Sequence, residues 1–316
     1  MTRIGSSDLD VFPLNLGGNV FGWTADRDAS FALLDAFTSG GGDFIDTADS
    51  YSRWVPGHTG GESETIIGEW LAARGIRDRV VIATKVSQHP EFRGLAPANV
   101  KAAAEASLAR LGVETIDLYY AHYDDAETPI AETAAAFSEL VDAGRIRYIG
   151  LSNYTAERVA EWLAAADAAG LHRPVALQPQ YSLVERDFET NGLRAAAERH
   201  DLGVLPYYSL AMGFLAGKYR PGQDVDSPRA GGAAKYLDAR GLRVLAALDD
   251  IAAAHGVEVA SVSLAWLRAR PTIVAPLASA SRTEQLPALL AGATLELADD
   301  EVAALTAASE RDAEAA

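Results

Sequence analysis

Short apolar runs that recur at similar intervals are the feature of this sequence that most restricts its fold. The runs end near residues 46, 84, 121, 151, 177 and 206, roughly one every 26 to 38 residues. A short continuous run of this kind predicts a strand that is buried on both faces. The segments between the runs have helical periodicity, and strands that alternate with helices pair in parallel. Helices are predicted over residues 62–74, 97–111, 129–143, 155–169 and 189–200.

Two further runs complete the pattern. Leu14-Asn15-Leu16 predicts a first strand and Ile273-Val274 a last one, which makes eight. Eight such units close most simply into a (β/α)8 TIM barrel, a fold of about 250 residues or more. The alternative is an open doubly wound sheet, but residues 16–22 lack the spacing of its Gly-rich phosphate turn. The predicted fold class is therefore α/β, a (β/α)8 barrel.

Two stretches depart from the repeat. Residues 2–13 contain the turn Gly5-Ser6-Ser7 and predict an N-terminal β-hairpin that closes the barrel floor. Residues 211–234 are rich in Gly, Pro and Asp, a composition that indicates a lid, a binding loop or a disordered segment. Two extra helices are predicted after them, at 237–255 and 259–268. No linker-like segment divides the repeat, so residues 1–316 are predicted to form a single domain.

Composition excludes several classes of function. The chain has 27 Lys and Arg against 44 Asp and Glu, and its net charge of −17 argues against nucleic acid and anionic membranes as partners. No apolar run is long enough to span a membrane, and the N-terminus has no secretory signal pattern, so we expect a cytoplasmic protein. The absence of cysteine excludes disulfides, thiolate metal sites and cysteine nucleophiles. No oligomeric state follows from the sequence.

Polar residues with complementary chemistry stand where the apolar runs end. Asp46, Lys85 and His122 each close or follow a run, and Tyr51 lies five residues after Asp46. The loops after the strands of a barrel share one face, so we expect these side chains to converge. A phenol can give a proton, a cation can acidify it, a carboxylate can hold the cation, and a histidine can polarise the acceptor. The set predicts a proton-donating catalytic site, although His122 alone could be a core histidine bonded to backbone.

These residues belong to longer motifs that resemble those of the aldo-keto reductases, most closely the bacterial branch related to potassium-channel β subunits. The likeness extends from about Ile4 to Leu290 in family order. It implies a (β/α)8 barrel that binds NADP(H), needs no metal and acts on a small carbonyl compound. The motifs are Asp46-Thr47-Ala48-Asp49-Ser50-Tyr51, Thr84-Lys85, His122 within Tyr-Ala-His-Tyr, residues 144–154, residues 178–183 and residues 213–219.

The resemblance implies a role for each member of the catalytic set. Tyr51 would be the general acid in carbonyl reduction. A free tyrosine has a pKa near 10, and Lys85 would lower it by stabilising the phenolate. Asp46 would hold Lys85 in place, and His122 would donate a hydrogen bond to the carbonyl oxygen.

The resemblance also implies a cofactor site. Ser152, Asn153 and Gln178 match residues that bind the nicotinamide carboxamide, whose donors and acceptors their side chains complement. Tyr207 matches the residue that stacks on the nicotinamide ring, with simple wall packing as the alternative. Lys218 and Arg229 match residues that contact the cofactor phosphates. The remaining implied cofactor contacts are Gly18, Asn19, Asp46, Leu210, Gly213, Ser279, Ser281, Arg282 and Gln285.

Cofactor choice depends on the end of the chain that matches the adenosine-binding motif. Ser281 and Arg282 would bind the 2′-phosphate of NADP(H), and Gln285 the adenine or its ribose; the alternative for Arg282 is a solvated charge. The family's usual Glu-Asn pair is replaced by Ala288 and Leu289, so adenine contacts from that pair are missing or replaced.

The predicted activity is NADPH-dependent reduction of an aldehyde or ketone to the alcohol. Trp23, Trp54 and Tyr123 lie in loops over the same mouth and are predicted to wall the substrate, although such rings could also pack between loops. The aromatics favour an apolar or planar carbonyl compound, and sugars also stack on tryptophan. Two alternatives remain, a redox-sensing regulatory subunit that acts on a partner protein and a barrel that binds a ligand without catalysis. The complete catalytic set argues against the latter.

Overall fold

The structure, a computed structural model, describes residues 1–223, 225 and 230–311. Strands in these ranges number twelve, and eight of them form one parallel sheet in the order β11-β10-β9-β8-β5-β4-β3-β12. The strands are β1 (Thr2–Arg3), β2 (Asp10–Val11), β3 (Asn15–Gly17), β4 (Phe44–Asp46), β5 (Val81–Val86), β6 (Gln88–His89), β7 (Phe92–Arg93), β8 (Ile116–Ala121), β9 (Ile146–Ser152), β10 (Pro174–Gln178), β11 (Gly203–Val204) and β12 (Leu277–Ala278).

The two outer strands of this sheet are brought together by β12 and the segment before it. Val274 donates its backbone N–H to Val204 O at 2.9 Å, and Leu277 donates to Pro206 O at 2.9 Å. The predicted (β/α)8 barrel is thus confirmed. The last strand is displaced from its predicted place at Ile273-Val274, where Ile273 makes only an isolated bridge. Pro276 has no N–H to donate, which limits regular pairing to the residues that follow it.

Helices alternate with the barrel strands and cover their outer faces. Several carry residues that favour helix ends: Thr155 accepts a hydrogen bond from Arg158 N, and Gly112 and Gly170 end their helices with positive φ. The helices are α1 (Arg27–Ser39), α2 (Glu62–Arg74), α3 (Pro97–Leu111), α4 (Ile130–Asp142), α5 (Ala156–Ala169), α6 (Leu193–His200), α7 (Ala230–Ala234), α8 (Ala239–His255), α9 (Val259–Arg268), α10 (Leu286–Thr294) and α11 (Asp299–Ala308).

One helix prediction begins too early. Residues 189–200 were expected to be helical, but α6 starts at Leu193, after a 3₁₀ turn over Asp187–Glu189. Gly192 has φ of 89°, a left-handed conformation that separates the turn from the helix. The predicted helix therefore started too early because Gly192 interrupts the helical backbone, which the hydrophobic periodicity does not reveal.

The predicted N-terminal hairpin is formed by β1 and β2, which pair antiparallel. Ile4, Leu9 and Val11 are buried with the barrel-interior residues Phe44 and Leu118, so the hairpin plugs the barrel. Gly5 has φ of 47°, and a Cβ there would lie 2.4 Å from the carbonyl oxygens of residues 175 and 201, which only glycine permits. A second hairpin, β6 with β7, was not predicted.

The stretch at 211–234 is partly regular rather than a structureless loop. It begins with a 3₁₀ helix, Ala211–Ala216, and ends with α7. The two extra helices follow as α8 and α9, and α10 is a further helix that the sequence reasoning missed. No helix among the residues described is long and apolar enough to cross a membrane.

Candidate active site

The predicted catalytic residues meet at the carboxyl ends of three neighbouring strands. Asp46 is the last residue of β4, Lys85 lies near the end of β5, and His122 directly follows β8. β5 pairs with both β4 and β8, which brings the three positions side by side. Tyr51 reaches the same place from the loop after β4.

Lys85 is the centre of a buried polar network. Its Nζ donates to Asp46 Oδ2 at 2.5 Å, to the backbone oxygen of Thr47 at 2.6 Å and to Tyr51 Oη at 3.1 Å. The ammonium group has three hydrogens, so its donor capacity is used in full. The other oxygen of Asp46 accepts from Gln178 Nε2 at 2.8 Å. Lys85 and Asp46 are both fully buried, so their mutual contact compensates charges that water does not reach.

The direction of the Tyr51 pKa differs from the prediction. Burial raises the pKa of this phenol well above 10, and the negative charge of Asp46 raises it further. The predicted net lowering is not found in this structure, because burial and the charge of Asp46 outweigh the contact with Lys85, which lies closer to the Asp46 carboxylate than to Tyr51. Tyr51 therefore carries its proton at neutral pH, which is the form that a general acid requires.

His122 is a neutral imidazole at neutral pH. Burial lowers its pKa well below 6.5, and the charge of Lys85 lowers it further. Its Nδ1 is buried without a hydrogen-bond partner in the described part of the chain, and the ring lines the same cavity as Tyr51. The two ring centroids are 6.1 Å apart. The alternative was a histidine whose ring bonds to backbone. No backbone group of the described residues bonds to the His122 ring, so the polar edge of the ring remains for a ligand.

A cavity of about 980 Å³ extends from the predicted catalytic residues Tyr51 and His122 across the barrel mouth. Among the predicted cofactor contacts, Gly18 and Asp46 lie outside its lining: Gly18 N donates to Asp46 O at 2.7 Å. Arg229 lies outside the described residues. The predicted contacts that line the cavity are Asn19, Ser152, Asn153, Gln178, Tyr207, Leu210, Gly213, Lys218, Ser279, Ser281, Arg282 and Gln285.

Side chains predicted to bind the nicotinamide form one connected group beside the catalytic residues. Ser152 Oγ donates to Gln178 O at 2.9 Å, Tyr207 Oη donates to Asn153 Oδ1 at 2.7 Å, and Asn153 Nδ2 donates to His122 O at 2.9 Å. Gln178 uses its amide N–H on Asp46, which leaves its carbonyl oxygen for a ligand donor. The group is thus held rigidly by its own bonds and offers the mixed polarity that a carboxamide requires.

The cavity lining also contains positively charged side chains. Lys218 and Arg282 both line it, and neither side chain has an ion pair or hydrogen bond within the described ranges. Ser281 N donates to Gln285 Oε1 at 2.8 Å, so these two residues are held together. Two unpaired cations in a chain of net charge −17 suit a phosphate-bearing ligand, and NADP(H) fits this donor set. Ala288 and Leu289 add an apolar wall instead of polar contacts.

Aromatic rings surround the catalytic end. Trp23 and Trp54 pack edge to face at 5.5 Å between centroids, and Trp54 is 6.3 Å from the Tyr51 ring. Tyr123 lies 5.0 Å from the His122 ring. All three predicted wall residues line the cavity. Their rings therefore pack against neighbouring rings and also face the space where a ligand would bind.

The sequence reasoning missed several lining residues, among them Arg53, Gln88, Tyr208 and Met212. Arg53 and Tyr208 each adjoin a residue that had been predicted, which is the signal that could have found them. The residues described contain no group of three or more His, Asp or Glu side chains placed to hold a metal ion.

Comparison with known proteins agrees with this arrangement. The sequence profile of the Aldo/keto reductase family matches residues 13–310, a range that includes every site residue above. The chain is 33% identical to Protein tas of Escherichia coli over 96% of each chain. It is 34% identical to the uncharacterized oxidoreductase YrpG of Bacillus subtilis, over 90% of this chain and 88% of that protein. It is 31% identical to a probable voltage-gated potassium channel subunit beta of Arabidopsis thaliana, over 90% of this chain and 88% of that one.

Proposed function

The chain belongs to the aldo/keto reductase family, and we propose that it catalyses the NADPH-dependent reduction of an aldehyde or ketone to the alcohol. Members of the family are oxidoreductases that generally use nicotinamide cofactors and act on small carbonyl compounds. The observation that carries the proposal is the 3.1 Å contact between Lys85 Nζ and Tyr51 Oη at the catalytic end of the cavity.

The mechanism follows from the properties of four side chains. A reduced nicotinamide, when bound, would supply the hydride for the carbonyl carbon, so negative charge would develop on the carbonyl oxygen. Tyr51 gives its phenolic proton to that oxygen, and neutral His122 donates a hydrogen bond to it. Lys85 stabilises the phenolate that Tyr51 becomes, while Asp46 keeps Lys85 charged and in place.

The side chains around the catalytic set would hold the cofactor in register with it. Ser152, Asn153 and Gln178 would bind the carboxamide and Tyr207 would pack on the ring. Lys218, Ser281 and Arg282 would bind phosphate groups, with Gln285 at the adenosine. The 2′-phosphate carries close to two negative charges, so unpaired Arg282 favours NADPH over NADH.

A direct test is oxidation of NADPH by the purified protein with an aromatic aldehyde and, separately, with an aliphatic one. Turnover dependent on both components supports the proposal. Tight NADPH binding without turnover of either aldehyde would instead favour a redox-sensing regulatory subunit. That alternative has one specific observation in its favour, the similarity to a plant protein named as a channel subunit.

Arg282→Ala is expected to remove most of the preference for NADPH over NADH. A charged hydrogen bond to phosphate contributes about 1.5 to 3 kcal/mol, or roughly 10- to 150-fold in affinity. Dissociation constants for both cofactors, measured by fluorescence quenching, should show weaker NADPH binding and nearly unchanged NADH binding. Added salt should weaken NADPH binding more than NADH binding, because Arg282 is exposed.

Arg79 provides the matched control for this variant. It is an exposed arginine just before β5, outside the cavity, and no carboxylate in the described ranges pairs with it. Arg79→Ala should leave both dissociation constants unchanged. Equal affinity of the unmodified protein for NADPH and NADH would rule out the assigned role of Arg282.

The pH dependence of turnover follows from the two shifted groups. Reduction needs the protonated phenol of Tyr51, so its rate is lost only as pH rises through the Tyr51 pKa, which burial raises above 10. The His122 pKa is lowered by burial, so the ring stays neutral above about pH 6.5. We expect kcat for reduction to be flat from about pH 6.5 to about pH 9. Alcohol oxidation needs the phenolate and should become faster with each step in pH across that range.

Measurement of kcat at saturating aldehyde and NADPH tests whether the rate of reduction is independent of pH over this range. A fall in kcat for reduction between about pH 7 and about pH 9 would mean that Lys85 lowers the Tyr51 pKa in the working enzyme.

A further inference from the structure

The catalytic end of the cavity presents an unusual amount of exposed aromatic surface. Trp54, Tyr123 and Tyr208 are 47%, 44% and 43% exposed, and all three line this one cavity. Exposed apolar side chains gathered at one place mark a binding surface, whereas single ones scattered over a protein do not. The rings form its wall together with Trp23.

Tyr208 is held in place by its backbone. Its φ is 53°, in the left-handed region that costs a tyrosine energy, and Ala211 N donates to its carbonyl oxygen at 2.7 Å. Its ring packs edge to face on Tyr207, with 5.2 Å between centroids. The strained backbone therefore fixes a ring at the edge of the cavity next to the residue predicted to stack on the nicotinamide.

Arg53 brings an uncompensated positive charge to the same place. Its side chain lines the cavity, as do those of Tyr51 and Trp54 on either side of it in the sequence. No carboxylate of the described residues lies within ion-pair distance of its guanidinium. Two other arginines are paired, Arg158 with Asp124 at 2.6 Å and Arg110 with Glu64 at 2.6 Å. An unpaired guanidinium in a protein of net charge −17 is available for an anion.

Arg53 lines the cavity two residues after Tyr51 and next to Trp54, whose ring centroid lies 6.3 Å from that of Tyr51, so its guanidinium belongs to the catalytic end. Burial lowers the pKa of His122 and raises that of Tyr123, and Arg53 contributes a lowering to both. The two rings stand on one side of the catalytic end, 5.0 Å apart between centroids. An anion on Arg53 would therefore lie beside a carbonyl group that is held at His122 and Tyr51.

We propose that the site selects aromatic carbonyl compounds that carry a carboxylate, with Arg53 as the counter-ion and Trp23, Trp54, Tyr123 and Tyr208 as the walls. This inference rests on the proposed function and names its substrate class. The reaction is the same reduction: hydride goes to the carbonyl carbon, the Tyr51 proton goes to the oxygen, and the carboxylate is unchanged. Guanidinium and carboxylate form a two-bond planar contact, which a neutral ester cannot reproduce.

The test compares 3- and 4-formylbenzoate with their methyl esters as substrates, with NADPH as reductant. The acids and esters share ring and aldehyde and differ in charge. We expect kcat/KM to favour at least one acid over its ester by about 10-fold, the lower end for a charged contact because Arg53 is exposed. In Arg53→Gln the acid-to-ester ratio should fall to about one, and in Arg53→Lys an intermediate ratio should remain.

Two controls separate charge from other effects. Arg79→Gln, outside the cavity, should keep the wild-type ratio, and added salt should lower the ratio in the wild type. Succinate semialdehyde has the same charge but no ring, so its kcat/KM should be below that of the better formylbenzoate.

The outcomes that overturn the inference are distinct. Turnover of the esters with no preference for either acid, or an unchanged ratio in Arg53→Gln, removes Arg53 from substrate selection and leaves the proposed function standing. A higher kcat/KM for succinate semialdehyde than for both formylbenzoates removes the aromatic part. Absence of turnover for every aldehyde overturns both this inference and the proposed function.

Discussion

Tyr51→Phe is expected to lower kcat for carbonyl reduction by at least about 100-fold, the lower end of general-acid effects. The substitution keeps the ring against Trp54 and His122 and removes only the hydroxyl that contacts Lys85 at 3.1 Å. Without that proton donor, the developing negative charge on the substrate oxygen is met only by a hydrogen bond from His122. Steady-state turnover with NADPH and an aromatic aldehyde measures the loss.

The same variant should bind the cofactor normally, since Tyr51 takes no part in the predicted cofactor contacts. Tyr148→Phe is a matched control that also removes one phenolic hydroxyl. Tyr148 lies in β9, and its hydroxyl accepts from Asp8 N at 3.2 Å at the hairpin end of the barrel, away from the cavity. Its turnover should equal that of the unmodified protein. Near-normal kcat in Tyr51→Phe would exclude Tyr51 as the proton donor.

Lys85→Met is expected to damage both stability and turnover. Lys85 and Asp46 are fully buried and 2.5 Å apart, so removal of the lysine leaves a buried carboxylate without its cation, although Gln178 still donates to it. Loss of one partner of a buried pair costs about 3 to 5 kcal/mol. Turnover should fall by at least about 100-fold, since nothing then stabilises the Tyr51 phenolate. Denaturant unfolding and steady-state kinetics measure the two losses.

A double variant separates the two effects. Asp46→Asn with Lys85→Met removes the uncompensated charge, so its free energy of unfolding should exceed that of Lys85→Met alone. It should remain as inactive as the single variant, because the missing ammonium is what catalysis requires. Recovery of activity together with stability in the double variant would show that Lys85 is structural.

Much of the architecture could be predicted because it depends on local pattern. Buried strands need continuous apolar runs and their helices need a 3.6-residue period, so the alternation around Asp46, Lys85 and His122 predicted a barrel with these residues at one mouth. The errors occurred where a single residue interrupts the pattern. Pro276 displaced the last strand and Gly192 delayed α6, since each alters backbone hydrogen bonding without changing hydrophobicity.

The predicted catalytic set and the family motifs could be recognised from the sequence itself, because they depend on residue types at set distances from predicted strand ends. The direction of the Tyr51 pKa was decided only by the tertiary structure, because it depends on burial and on Lys85 lying nearer to Asp46 than to the phenol. Only the tertiary structure likewise shows that Arg53 has no ion-pair partner among the described residues, because that depends on which side chains lie near it. Charges interact through distance and solvent access, and a sequence specifies neither until the chain has folded.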